Sequence, residues 1–370
     1  MTDQNLVYQI ALTQIHGIGD ITAKQVIEHL GDASLLFQEK SRLLEKIPGI
    51  SRRVISEIHH PEVLRRAERE VAFIEKNKIT PLFIQNPDYP ERLRDCIDAP
   101  VMLYFKGNTD FNTAKVVSIV GTRHATAYGR EITESLLKEI AAIYPDTLII
   151  SGLAYGIDVF AHRAALKNNL PTVGVLAHGL DRIYPPTHRN TAVEMLPNGG
   201  LLTDFLSETN PDRPNFVKRN RIVAGISDCT IVVESAEKGG ALITANIAES
   251  YNKDVFAVPG KTTDVYSAGC NTLIKYKKAA LITCAGDLFR EMCWNAEKNA
   301  PKQAVQQKLF IDLSPEEQIV VDLLTNNKVL QLNSMAVETN LPIPQLASIL
   351  FELEMKNAIK CLPGGLYQLK

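Results

Sequence analysis

Between positions 116 and 258, short β-branched apolar runs alternate with stretches of helical periodicity, and this alternation constrains the fold more than any other feature. The runs are Val116–Val120, Leu148–Ile150, Thr172–Leu176, Thr230–Val233 and Val255–Val258. Helical patterns fall at about 129–143, 158–168 and 240–251. A continuous apolar run, as opposed to an alternating one, marks a strand covered on both faces. Strands of that kind separated by helices predict a doubly wound, mostly parallel Rossmann-like α/β sheet. In such a sheet the ligand crevice lies beyond the carboxyl ends of the strands.

The flanks follow other rules. Residues 1–60 carry two similar hairpins, one turning at Gly17-Ile18-Gly19 and the other at Gly49. They predict a helix-hairpin-helix module, whose glycine turns can present backbone N–H groups to a phosphate. Residues 61–110 read as a lead-in with a candidate strand at Val101–Phe105, and 111–290 as the Rossmann-like domain. The polar stretch 291–309 reads as a linker. From 310 to 370 the pattern is three helices and a hairpin, a winged helix, its first helix opening at Ser314-Pro315-Glu316-Glu317 in the manner of a capping box.

Four segments carry chemistry. Gly121, Thr122 and Arg123 follow the first strand and precede a helix, an arrangement suited to a phosphate, with the Arg123 fork adding charge. Gly152 and Gly156 occupy the next strand-end loop. Beyond it, Asp158 and His162 share one helical face, and a capping aspartate beside a core histidine is preferred to an acid–base pair. The densest basic segment holds Arg213, Phe216, Lys218, Arg219, Asn220 and Arg221, with Asp212 as its only neighbouring carboxylate. Cations that track a phosphate backbone, with an aromatic face for a base, are the signature of single-strand binding. Gly239 and Gly240 open a further helix after a strand, again leaving N–H groups bare.

Several classes are set aside. The formal charge is −2, so any nucleic-acid site must be a local patch. The six cysteines contain no CxxC pair, which predicts reduced thiols and no metal site. Pro259-Gly260-Lys261-Thr262 imitates the end of a phosphate-binding loop, but Val255 stands where glycine is required. No dinucleotide fingerprint follows the first strand, so no cofactor is expected. No secretory signal or membrane span is read, and the expected location is the cytoplasm.

Taken in order, the blocks SIVGTRHATAYG, SGLAYGIDVFAHRAAL, TVGVLAHGLDRIYP, FVKRNRIVAGIS, ESAEKGGALITANIAESYNKDVFAVPG and AGCNTLIKYKKAALI resemble the DprA/Smf family of bacterial DNA-processing proteins. The resemblance covers about residues 80–290. It implies a non-enzymatic protein that binds incoming single-stranded DNA in natural transformation, displaces single-strand-binding protein and loads RecA. It also implies a homodimer formed through the Rossmann-like domain. The family's basic pocket maps onto Arg123, Arg213, Phe216 and the run Lys218–Arg221, and onto Lys253. The chain departs from the family's Ser-Gly-Ser-Leu at Gly239-Gly240-Ala241-Leu242, and from its Ser-Glu at Thr203-Asp204. The third winged-helix helix carries Glu352 and Glu354 against one lysine, which favours a protein partner over a DNA groove. Two other readings stay open: a phosphoribohydrolase resembling the lysine-decarboxylase-like family, and a scaffold whose basic loop binds only protein.

Overall fold

The computed structural model describes residues 4–39, 41–294, 313–327, 329–339, 341–356, 358–362 and 365–369. Most of the expected linker, from position 295 onward, lies outside them. The chain forms two compact units, Met1–Ala296 and Glu297–Lys370.

The first unit begins with helices α1 (Gln4–Leu12), α2 (Asp20–Leu30), α3 (Ala33–Gln38), α4 (Ser41–Leu44) and α5 (Arg52–Ile58), followed by the long α6 (Pro61–Asn77). The two hairpin turns pack across each other. Gly17 and Gly49 both hold positive φ, +93° and +86°. A Cβ on Gly17 would press on Val54 of the second hairpin, and one on Gly49 would press on Thr22 of the first. Glycine is therefore required twice over, for the turn and for the close approach.

The sheet follows, with β1 (Thr80–Phe83), α7 (Glu91–Arg94), β2 (Met102–Asn108), β3 (Val116–Val120), α8 (Ala127–Ile143), β4 (Leu148–Ser151), α9 (Ile157–Lys167), β5 (Thr172–Val175), α10 (Arg189–Met195), β6 (Gly199–Thr203), α11 (Arg213–Gly225), β7 (Cys229–Val232), α12 (Gly240–Ser250), β8 (Asp254–Ala257), α13 (Ala268–Lys275), β9 (Ala280–Leu281) and α14 (Ala285–Glu291). The strand order is β1-β2-β6-β5-β4-β3-β7-β8-β9. Strands β6 to β9 in that order pair in parallel, and β2 and β1 extend the edge antiparallel. This is the doubly wound fold expected. From β3 the chain winds outward through β4 and β5 to β6, then returns to lay β7 on the other side of β3. The switch point lies between β3 and β7.

Alternate residues of β3 serve the two faces. Val117 and Ile119 join an apolar cluster with Leu136 and Ile140 of α8, Ala161 of α9 and Leu288 of α14. Val116 and Val120 join another with Ile222 and Val223 of α11 and Ala245 of α12. Each fully buried valine or isoleucine contributes about 1.5–3 kcal/mol.

Three sheet strands, β1, β6 and β9, are absent from the periodicity reading. Strand β6 opens with Gly199-Gly200, a pair that reads as a turn. Both glycines hold positive φ, +139° and +152°. A Cβ on Gly199 would overlap the Thr172 carbonyl, and one on Gly200 the Lys106 carbonyl. The pair lets the neighbouring backbones of β5 and β2 approach closely.

The second unit contains α15 (Pro315–Asn326), β10 (Leu330–Gln331), α16 (Leu332–Thr339), α17 (Ile343–Met355), β11 (Ile359–Leu362) and β12 (Leu366–Leu369). The sheet order is β10-β12-β11. The expected capping box is present: the Glu317 amide donates to Ser314 Oγ at 3.2 Å, and the Ser314 amide donates to the Glu317 carboxylate at 2.7 Å. Val320, Leu324, Met335, Leu346, Leu350, Leu353 and Ile359 close a separate core, completing the winged helix.

Candidate nucleic-acid interface

A cleft of about 670 Å³ opens where β3 and β7 end, lined by the loops after both strands and by α11. This is the crevice that the switch-point topology leaves open.

The loops around it are tied together by Glu234, two residues beyond the end of β7. The Glu234 side chain is buried. Its carboxylate accepts the Thr126 amide at 2.9 Å and the Thr126 hydroxyl at 2.5 Å, while its carbonyl accepts the Thr122 amide at 2.7 Å. Thr126 in turn caps α8 by accepting the Gly129 amide at 3.2 Å. One side chain thus fixes the loop that carries Gly121, Thr122 and Arg123. Gly156 lies beneath that loop at φ +77°, and a Cβ there would overlap the Thr122 carbonyl. Its role is to let the loops meet; it does not line the cleft.

The basic segment is helical, and the helix sorts its residues. At 3.6 residues per turn, positions 213, 216, 217 and 220 share one face. Arg213, Phe216, Val217 and Asn220 all line the cleft, together with Gly121, Thr122, Arg123, Gly152, Gly239 and Gly240. Arg123 lies over the Phe216 ring, its guanidinium carbon 5.2 Å from the centroid. Arg219 approaches the same ring at 6.0 Å. Tyr184 meets Phe216 edge-to-face at 6.0 Å between centroids.

Four cations of the sequence reading stand elsewhere or play another part. Arg219 reaches the cleft wall as a buried strut: Nη1 donates to the carbonyls of Gly152, at 2.7 Å, and of Val175. Burial lowers its pKa to about 10, against the attraction of Asp158. A Cβ on Gly152 would overlap this guanidinium, which explains the glycine. Arg221 and Lys218 are not among the residues that line the cleft. Arg221 binds the carboxylates of Asp20 at 2.9 Å and Asp204 at 2.8 Å, and the Asp98 carbonyl. Lys218 sits 3.4 Å from Asp204 and over the Phe205 ring. The Thr203-Asp204 departure therefore has a structural use. Lys253 precedes β8, at the opposite end of the strands from the cleft. Its ammonium donates to the carbonyls of Gly225 and, at 2.8 Å, Ser227, closing the end of α11.

His162 is a core histidine, but Asp158 does not cap a helix: α9 starts after Gly156 with no side-chain cap, and Asp158 turns back to the loop before it. The Asp158 carboxylate takes backbone N–H groups of Ala154 and Gly152; burial raises its pKa, and Arg219 opposes the rise. His162 is fully buried, with Nδ1 2.8 Å from Thr172 Oγ1. The Thr172 hydroxyl donates its one proton to the Ile149 carbonyl at 3.0 Å. Nδ1 of His162 must therefore be the donor to Thr172. Burial drives the His162 pKa down to about 3.

On the third side, α12 starts at Gly240 with no side chain capping it. Gly239, Gly240 and Lys238 line the cleft there, and uncapped N–H groups at a helix start favour an anion. Tyr184 and Glu234 carry no mark of their own in the sequence, and Lys238 stands there only at the head of the Gly239-Gly240 segment. All three lie inside blocks that carry the resemblance, but a lone tyrosine or glutamate in a loop has no periodicity to mark it. No group of three or more metal-ligating side chains occurs among the described residues. No helix among them is long and apolar enough to cross a membrane.

Known proteins share this fold. Residues 80–293 match the family described as "DNA recombination-mediator protein A", and residues 301–365 match the "DprA winged helix domain". The "DNA processing protein DprA" of Bacillus subtilis is 39% identical over 225 residues, covering 60% of this chain and 75% of that protein. The X-ray structure of DNA processing protein A from Streptococcus pneumoniae superposes with a TM-score of 0.63 at 29% identity, over 77% of this chain and 97% of that one. A Helicobacter pylori DNA processing protein A, described for its single-stranded DNA binding mode, superposes at 0.53 with 28% identity, over 60% and 98%. With its doubly wound core, its cleft at the β3–β7 switch point and these matches, the chain belongs to the DprA/Smf family.

Proposed function

We propose that this protein binds single-stranded DNA in the β3–β7 cleft and acts in DNA processing by handing the strand to a recombinase of the RecA type. The observation that carries the reading is the Arg123–Phe216 pair, framed by the glycine loops after β3 and β7. Arg123 and Arg213 supply charge for phosphates. Phe216, with Tyr184 at its edge, offers a ring to a base, and the uncapped start of α12 takes a further phosphate. The site holds donors and aromatic surface, and the buried carboxyl groups Asp158 and Glu234 are both engaged, Asp158 by backbone amides and Glu234 by the Thr126 amide and hydroxyl. That set suits binding without bond cleavage.

The similarity to DNA processing proteins supports the finer reading. In it, the protein works in the cytoplasm during natural transformation, protects incoming strands, displaces single-strand-binding protein, loads RecA, and forms a homodimer through the Rossmann-like domain. Fluorescence anisotropy with labelled single- and double-stranded oligonucleotides tests the binding. Tighter binding of the single strand, weakened by Arg123→Ala, is expected; equal affinity for both, unchanged in the variant, would overturn the site. Assembly of RecA on a strand coated with single-strand-binding protein, with and without this protein, tests the loading.

A further inference from the structure

In the loop after β4, one large side chain is left open while its aliphatic neighbours are not. Leu153 and Ile157 are fully buried, whereas Tyr155 is 47% exposed. Ala154, the residue before it, lines the cleft. Gly156, the residue after it, lies beneath the backbone of Thr122 and Arg123, where an added Cβ would overlap both. Tyr155 therefore stands at the rim of the cleft, next to the loop that carries Arg123.

The ring is held in place from the loop after β5. It meets the buried His188 at 4.9 Å between centroids, the planes 69° apart. His188 Nδ1 is anchored 2.9 Å from the Leu153 carbonyl, to which it must be the donor. The Thr187 hydroxyl donates to the Tyr155 hydroxyl at 3.5 Å. One edge-to-face contact occupies at most one face of a ring, so the other is left for a base. A ring already fixed in the unbound protein has less freedom to lose on stacking.

The surroundings suit a nucleic-acid strand. Arg123 reaches over Phe216 with its guanidinium carbon 5.2 Å from the ring centre, while its own backbone rests on Gly156. Arg123 thus stands between Phe216 and Tyr155. The loop from Gly152 to Ile157 carries no charged side chain, and the Asp158 carboxyl that follows is buried, so that loop offers no exposed carboxylate to repel a phosphate.

We propose that Tyr155 is a second base platform: a strand with a phosphate on Arg123 continues from Phe216 across the β3 loop and stacks a further base on Tyr155. The inference rests on the single-strand reading of the cleft and extends it, fixing the side on which the strand leaves, toward the loops after β4 and β5. Stacking needs an aromatic face and no hydroxyl, so phenylalanine at this position should serve and alanine should not.

The test uses the full chain and labelled oligo-dT of increasing length, read by fluorescence anisotropy. Tyr155→Ala is expected to match the wild type on the shortest oligomers that bind and to fall at least about fivefold behind on longer ones. Tyr155→Phe should follow the wild type throughout, and Phe216→Ala should weaken every length. A disturbed fold would shift short and long oligomers together, so the length dependence separates stacking from structure. Tyr155→Ala equal to the wild type at every length, or weakened to the same degree at every length, would refute the platform. In a second measurement 5-iododeoxyuridine is placed at successive positions of a long oligomer, irradiated, and the cross-linked peptides identified by mass spectrometry. Adducts on Tyr155 are expected from a different position than those on Phe216; adducts on Phe216 with none on Tyr155 would also refute it. Failure of the wild type to bind any length would instead remove the single-strand reading of the cleft, and the platform with it.

Discussion

The guanidinium of Arg123 lies 5.2 Å from the centre of the Phe216 ring, although the two residues belong to different elements, the loop after β3 and helix α11. The stacked cation holds the ring in place without covering it, since Phe216 remains half-buried in the cleft. Truncating the ring, Phe216→Ala, is expected to cost about 1–3 kcal/mol of single-strand affinity, the value of one stacked base. Anisotropy titration with a labelled oligo-dT measures it, and a loss below the detection limit would remove Phe216 from the binding surface.

Arg213 and Arg123 are exposed at the cleft mouth, so each is expected to report as a phosphate contact. Arg213→Ala should flatten the log–log dependence of affinity on salt by about 0.7. Lys253→Met should leave that slope unchanged, because Lys253 is occupied with the Gly225 and Ser227 carbonyls at the other end of the sheet. It should instead lower stability by about 1–3 kcal/mol through carbonyls left unsatisfied, as read by urea unfolding.

Arg219 separates structure from binding. Arg219→Met leaves the carbonyls of Gly152 and Val175 without this donor and Asp158 without its strongest compensating charge. Removing one partner from a buried charge arrangement costs about 3–5 kcal/mol. Thermal unfolding should show a large fall for Arg219→Met, and none beyond about 0.5 kcal/mol for the exposed Arg123→Ala. Equal stabilities for the two variants would contradict the strut role.

His162 predicts a pH dependence. Its pKa falls from 6.5 to about 3 on burial, so between those values the unfolded chain holds a proton that the folded chain lacks. Stability from this site is complete above 6.5 and is lost as pH drops toward 3, with a slope of up to about 1.4 kcal/mol per pH unit. In His162→Gln the amide still donates to Thr172, and that share of the slope should vanish. Urea unfolding of both proteins across the window checks it; identical slopes would place the titration elsewhere.

The parallel core was legible because strands such as Val116–Val120 are apolar and β-branched at every position but Ser118, on both faces, which marks a strand covered on both sides. The cleft's position followed, since the carboxyl ends of such strands are where loops converge. The winged helix was legible from its capping box and its closing hairpin. Sequence could not rank the four cations between Arg213 and Arg221, which share a composition and a neighbourhood. Their fates depend on which face of α11 each occupies, and on partners as distant in the chain as Asp20, Gly152 and Asp204. A cation beside a free groove binds a phosphate; one beside a buried carboxylate or carbonyl becomes part of the core. That difference lies in three-dimensional proximity, and only the tertiary structure decided it.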